Sequence, residues 1–280
     1  MNAIFKIKYL WILLLGFTMV SCDEVPVVIP EGGGTGGGPT PVDSIERVVL
    51  LQELTGVKCP NCPTGAAEAK RLLNKYDDQL AVVAIHGDFL TTPLSESKYD
   101  FRTSFSRDIE SVTSFIGKPA GAINRKVFDD PTLLAYDVDK WDAFIEAELQ
   151  TFADIEIFLD AFVEDDQISV TVDLKPMKDL AGLNISVALT QGGIIDPQEE
   201  GSNVIEDYEH EHVLRHMFTQ SLGDNLGNLT QDEITSRSYT FTMPADAEPA
   251  YDPSHIEIVA YITQDGASES PVIQTAKILL

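Results

Sequence analysis

An α/β layer domain followed by an all-β sandwich is the fold this sequence predicts, and three observations predict it. Between residues 43 and 150, short apolar runs alternate with stretches of helical periodicity, the pattern of strands layered with helices. From Asp154 onward the apolar residues fall at every second position, the pattern of half-buried strands. Charge changes at the same place: residues 43–150 carry 12 basic and 18 acidic residues, whereas residues 151–280 carry 5 and 24. So steep an asymmetry marks a boundary near residue 151. The 280-residue chain is 44% hydrophobic and 23% charged, which excludes long disorder, a coiled coil and a multi-span membrane protein. Its net charge of −26 would repel a phosphate backbone, so nucleic acid is not an expected partner.

Residues 1–21 read as a lipoprotein signal peptide. Lys6 and Lys8 supply the positive start, and Tyr9 to Val20 form an apolar stretch too short to span a bilayer comfortably. Met19-Val20-Ser21-Cys22 resembles a lipobox, in which small residues precede a cysteine that becomes acylated; an ordinary signal peptide or anchor is the competing reading. Residues 22–42 then comprise the lipidated Cys22 and a flexible tether, with six glycines and four prolines between Asp23 and Val42.

The first folded domain is assigned to residues 43–150. Val48 to Leu54 reads as a buried strand, Cys59-Pro60-Asn61-Cys62 follows, and Ala66, Ala67, Ala69, Leu72 and Leu73 mark a helix. Strand, turn and Cys-x-x-Cys at a helix start is the thioredoxin context. Free amides and the positive helix end there stabilise a thiolate at Cys59, beside Lys58, and Cys62 is the resolving thiol. Glu53, six residues before Cys59, stands where thioredoxins place a buried acid that takes the resolving proton. Pro119 in Gly117-Lys118-Pro119 resembles the cis-proline that faces the disulfide in that fold. An inert disulfide is the competing reading, although a loop this short restrains the unfolded chain by only about 2 kcal/mol. Zinc would need four ligands, and beyond the lipidated Cys22 there is no other cysteine to complete a set. Leu80 to His86 and Ala120 to Val127 are predicted strands; Ser95 to Ile116 and Val138 to Gln150 are predicted helical.

Residues 151–280 are expected to form an acidic, immunoglobulin-like sandwich of about seven short strands. Its segment from Glu206 to His216 concentrates three of the five histidines among acids. His210 and His212 would share a face on a strand, His212 and His216 on a helix, and either pair could help hold a divalent metal. The register is not that of a zinc protease, so a solvated polar strand is the preferred reading and no metal or other cofactor is expected.

Three segments carry a resemblance. Glu53-Leu54-Thr55-Gly56-Val57-Lys58-Cys59-Pro60-Asn61-Cys62-Pro63 is similar to the cysteine signature of the Omp-twenty-eight-related outer-membrane lipoproteins. Gly117-Lys118-Pro119 with Asn124-Arg125, and Tyr208-Glu209-His210 through Val213-Leu214-Arg215, resemble two further stretches of that family. Lys58 stands where the family commonly has tryptophan, and Ala120 where it has threonine. The resemblance implies a thioredoxin-fold domain followed by a β domain, lipid-anchored in a Gram-negative outer membrane. The expected function is thiol–disulfide exchange: Cys59 attacks or is attacked, Cys62 resolves, Glu53 relays the proton and Pro119 shapes the groove of a protein thiol or disulfide partner. The alternative is a binding or adhesin-like surface lipoprotein with an inert disulfide.

Overall fold

The computed structural model describes residues 44–113, 115–128, 134–265 and 270–280. The expected signal peptide, Cys22 and the tether lie outside the described residues.

Val49–Leu54 (β1) and Leu80–Ile85 (β2) pair in parallel, Val49 opposite Leu80, and every residue of both is buried. Nearly continuous apolar runs suit strands covered on both faces. Between them runs α1 (Cys62–Tyr76), with proline in its first turn and Ala69 and Leu72 buried. Helix α2 is Ser104–Ser111, with the Thr103 hydroxyl accepting from the Ser106 amide at 2.9 Å. It is much shorter than the predicted 95–116 stretch.

Ala120–Ile123 (β3) runs antiparallel to β1 and is followed by Leu134–Ala135 (β4) and by α3, Trp141–Leu149. Strand β3 stops short of the predicted Val127 because Asn124 and Arg125 turn to φ 47° and 48°. Left-handed backbone cannot continue a strand.

Ten strands follow: β5 (Ile155–Glu164), β6 (Gln167–Pro176), β7 (Leu180–Gln191), β8 (Ile194–Glu200), β9 (Asn203–His210), β10 (Val213–Met217), β11 (Asp224–Leu229), β12 (Thr235–Thr242), β13 (Ile256–Gln264) and β14 (Val272–Leu279). A nine-stranded sheet has the order β14-β13-β7-β10-β2-β1-β3-β4, with β11 also on β7. Strands β12, β6 and β5 form a separate sheet, and β8 and β9 a hairpin.

This corrects the predicted fold class. The chain is not a thioredoxin-like α/β domain followed by a separate immunoglobulin-like sandwich: fourteen strands and only three α-helices are found among the described residues, and the central sheet draws on both halves of the sequence. The join is β10, which runs parallel to β2 at Val213 opposite Ala84; the Ala84 amide donates to the His212 carbonyl at 2.8 Å. An unpaired β2 edge would carry unsatisfied amides and carbonyls, and β10 takes that edge at Ala84. Period and composition carry no information about which distant strand takes an edge. Contacts gather the described residues into one compact unit.

Both faces of the large sheet are covered. On one, Ile155, Ile168, Val170 and Val172 from β5 and β6 pack against Ile185, Val187, Ile258 and Ile262. On another part, Leu72, Trp141 and Ile145 from α1 and α3 pack on Val49, Leu51 and Val82. A third cluster, with Leu50, Val83, Leu214, Val259 and Tyr261, runs across the join.

Asn124 and Arg125 tie that join together. The Asn124 side-chain oxygen accepts from the Leu50 amide at 2.8 Å, its Nδ2 donates to Glu148 at 2.9 Å, and its carbonyl accepts from the Val272 amide at 2.8 Å. Arg125 Nε donates to Gln52 at 2.8 Å. Asn124→Ala should cost about 3 kcal/mol, since it strands the buried Leu50 amide and puts alanine in left-handed backbone. Urea denaturation measures this; a loss below about 1 kcal/mol would show that the neighbours re-pair.

Candidate functional site

Past the end of β1 the chain turns so that the Cys59 amide donates to the Gly56 carbonyl at 3.0 Å and the Cys62 amide to the Cys59 carbonyl at 3.1 Å. That turn brings the two cysteines together as a disulfide at the first turn of α1, with Cα atoms 5.3 Å apart. Glu53, in β1 between Ala84 of β2 and Gly121 of β3, is 3% exposed, and its Oε1 has no hydrogen-bond partner. Burial pushes its pKa up to about 8, so the carboxyl is protonated at neutral pH.

The Lys118–Pro119 bond is cis. A Cβ placed on Gly65 would lie 2.9 Å from both Glu53 Oε1 and the Pro119 ring. Glycine at 65 therefore lets α1 approach closely enough for the acid and the proline to converge next to the disulfide turn. Beside them a cavity of about 400 Å3 is lined by Asn61, Thr64, Lys118, Pro119 and Tyr136.

Lys118 is fixed from behind. Its side chain is fully buried, and Nζ lies 2.5 Å from Glu110 Oε1 and donates to the Phe89 carbonyl at 2.9 Å. Burial lowers the lysine's pKa, and Glu110 opposes that shift. The other Glu110 oxygen accepts from the Asp88 amide at 2.6 Å.

Sequence reasoning missed the cover over the cysteines. The Gln198 side-chain amide, from β8, donates to the Gly56 carbonyl at 3.2 Å and the Cys59 carbonyl at 3.1 Å. Nearby, the Glu199 amide donates to Val57 and the Gly201 amide to Pro60, both at 2.9 Å. The β8–β9 hairpin is thus clamped across the turn, and Cys59 and Cys62 are each 1% exposed. Nothing in the Gln198 neighbourhood signals this docking, because the bonds run to main-chain carbonyls far away in sequence.

The three histidines of the acidic segment have separate surroundings. His210 faces the Asp196 carbonyl at 3.2 Å and packs against Phe101 and Tyr208. His212 sits at φ 54° between β9 and β10, and His216 stacks on Phe241 at 3.9 Å. Burial pushes the pKa of each down to about 4, keeping the rings neutral. Among the described residues no group of three His, Cys, Asp or Glu is placed to hold a metal. Arg215 bonds Gln191 and the Pro249 carbonyl, both at 2.6 Å, and lies over Tyr251, a structural tie on β10.

A family model described as outer membrane protein Omp28 matches residues 107–279. No curated protein matches the chain significantly. Among solved structures, HBP35 of Porphyromonas gingivalis is similar with a TM-score of 0.65 at 15% identity, covering 85% of this chain and 76% of its own. Protein AGR_C_4864 from Agrobacterium tumefaciens is similar with a TM-score of 0.52 at 11% identity, covering 84% of this chain and 95% of its own. A domain of the outer membrane lipoprotein Omp28 from Porphyromonas gingivalis overlaps 46% of this chain and 88% of its own, at 18% identity and a TM-score of 0.33. The HBP35 likeness spans both halves of the chain, again one β-rich body rather than an α/β domain with an appended sandwich.

Proposed function

The chain belongs to the outer membrane protein Omp28 family, and from that premise we propose that it is a lipid-anchored outer membrane protein whose Cys59–Cys62 pair exchanges with protein thiols. Membership places it in the bacterial outer membrane. Anchoring through an acylated Cys22 is the proposed attachment, and no helix among the described residues is long and apolar enough to cross a membrane. The matched span begins after the cysteines, so the exchange reading stands on the site itself.

One observation carries it: a buried, unpartnered, protonated carboxyl at Glu53 converges with Pro119 next to a disulfide at a helix start. In the proposed reaction a partner thiolate attacks Cys59 Sγ, forming a mixed disulfide and releasing Cys62 as thiolate. Glu53 gives that thiolate its proton. The partner's second thiol, losing its proton, then displaces Cys59, which leaves as a thiolate. The partner is oxidised by two electrons and the Cys59–Cys62 pair reduced by two.

The cover over the cysteines favours a second reading, in which the disulfide is inert and the protein is a binding lipoprotein. Reduction kinetics separate the two. With Gln198→Ala, loss of two clamping bonds should speed reduction by a small dithiol about tenfold or more if opening of the hairpin limits access. A reduction potential of about −120 to −270 mV supports exchange, and one below about −300 mV supports the inert disulfide.

A further inference from the structure

The β8–β9 hairpin is fastened to the rest of the sheet at two places. One is the Gln198 clamp on the cysteine turn. The other is an aromatic contact with titratable members. His210, the last residue of β9, meets His86, just past the end of β2, edge to face with ring centroids 6.2 Å apart. Phe101 lies against both rings, 5.2 Å from His86 and 4.7 Å from His210. Val57 of the cysteine turn, Ile194 of β8 and Val213 of β10 pack in the same buried cluster as Phe101. One apolar plug therefore holds the hairpin, the turn and β10 together.

The plug is built for neutral rings. His86 and His210 are both buried, and His86 Nδ1 has no hydrogen-bond partner, so a proton added there would be a charge without an acceptor. Lys118, held by Glu110, disfavours charge on His86, while Asp100 and the Ala84 main chain favour it; burial outweighs both and pushes the His86 pKa well below 6.5. On the hairpin, Asp196 favours a charged His210, its carbonyl 3.2 Å from Nε2, yet burial again prevails and the pKa falls to about 4. Tyr208 beside His210 remains a neutral phenol, its pKa pushed up to about 12. His212 is tied by its carbonyl to the Ala84 amide and faces Lys70 and Lys277 instead.

We propose that the His86–His210 contact is a pH-sensitive latch: as the medium acidifies from neutral, both rings take protons and the β8–β9 hairpin lifts from the cysteine turn. Two protons come from solvent for each opening. In the open form the rings reach water and titrate near 6.5, so the closed form holds above that value and weakens as pH falls below it. The latch regulates the exchange proposed for Cys59–Cys62 and rests on that reading for its use, but the opening itself involves no thiol chemistry.

The test compares the full chain at pH 7.5 and pH 5.5. Opening is read as hydrogen exchange at the Glu199 and Gly201 amides, which bond Val57 and Pro60 across the clamp, corrected for the intrinsic slowing in acid. It is read again as the rate of disulfide reduction by tris(carboxyethyl)phosphine, divided by its rate on oxidised glutathione. Both should rise about tenfold per histidine, about a hundredfold in all. His210→Gln, which keeps a donor for the Asp196 carbonyl, and His86→Gln should each remove about tenfold of that rise, and the double variant should show little pH response. The β2 amides should stay protected at both pH values. A pH-independent parent, an undiminished response in the double variant, β2 opening together with the hairpin, or hairpin exchange without faster reduction would each overturn the latch. A reduction potential below about −300 mV would instead end the exchange reading and leave the latch standing.

Discussion

Glu110→Ala is expected to cost about 3–5 kcal/mol of folding stability, the usual consequence of removing one member of a buried ion pair. The Lys118 and Glu110 side chains are 0% and 4% exposed, with 2.5 Å between their charged atoms. Alanine would leave the lysine charge in the interior with the Phe89 carbonyl and the face of the Phe115 ring but no counter-charge in contact, and would strand the Asp88 amide as well. Gly87 adds a steric reason for the arrangement, because a side chain there would run into the Glu110 carboxylate. Replacing both charges, Glu110→Leu with Lys118→Met, should recover most of the loss, since the desolvation cost disappears together with the attraction. Urea denaturation of the three proteins decides it. A single-variant loss below about 1 kcal/mol would mean that water reaches the pair. Lys118 forms the cis bond to Pro119, so the single variant should also disturb the cavity beside the disulfide.

Glu53→Gln is expected to act in the opposite direction and to depend on pH. The native carboxyl holds its proton up to about pH 8, whereas in the unfolded chain it loses it near the ordinary value of 4.5. Between those values the unfolded state sheds a proton that the folded state keeps, so stability falls as pH rises through the window. Glutamine does not titrate. The variant should match the parent near pH 5 and exceed it at pH 8.5 by an amount of the order of 4 kcal/mol. The buried histidines run the other way: neutral down to about pH 4 in the fold, they weaken it as pH drops below 6.5. Because parent and variant share them, the difference between the two urea midpoints isolates Glu53. An equal effect at both pH values would rule out a raised native pKa.

Much of the first half was legible because its signals are local. The apolar runs at Val49–Leu54 and Leu80–Ile85, the helix after Cys62 and the helix containing Trp141 all formed where periodicity placed them. Of the candidate residues, Cys59, Cys62, Glu53 and Pro119 lie in one neighbourhood. What failed was everything decided by distant pairing. No local pattern in strand β10 says that it will lie beside β2. The helix expected from Ser95 gave way to a turn and irregular chain as far as Thr103, and within it the Lys98 amide bonds the Asp196 side chain of β8. Burial of the cysteines was equally hidden, because Gln198 and Cys59 meet only in three dimensions. Histidine spacing suggested shared faces, but left-handed backbone at His212 breaks the strand between His210 and His216.

The placement of β10 beside β2 also sets a timetable. A chain that crosses a membrane amino end first delivers β1, Cys59, Cys62 and β2 long before β10 and the Gln198 hairpin arrive. Contacts between residues so distant in sequence form late and slowly. Throughout that interval the two thiols are complete, three positions apart in sequence and uncovered. The first oxidation of the pair should therefore fall in the period of export, with closure of the hairpin over the bond among the last events of maturation.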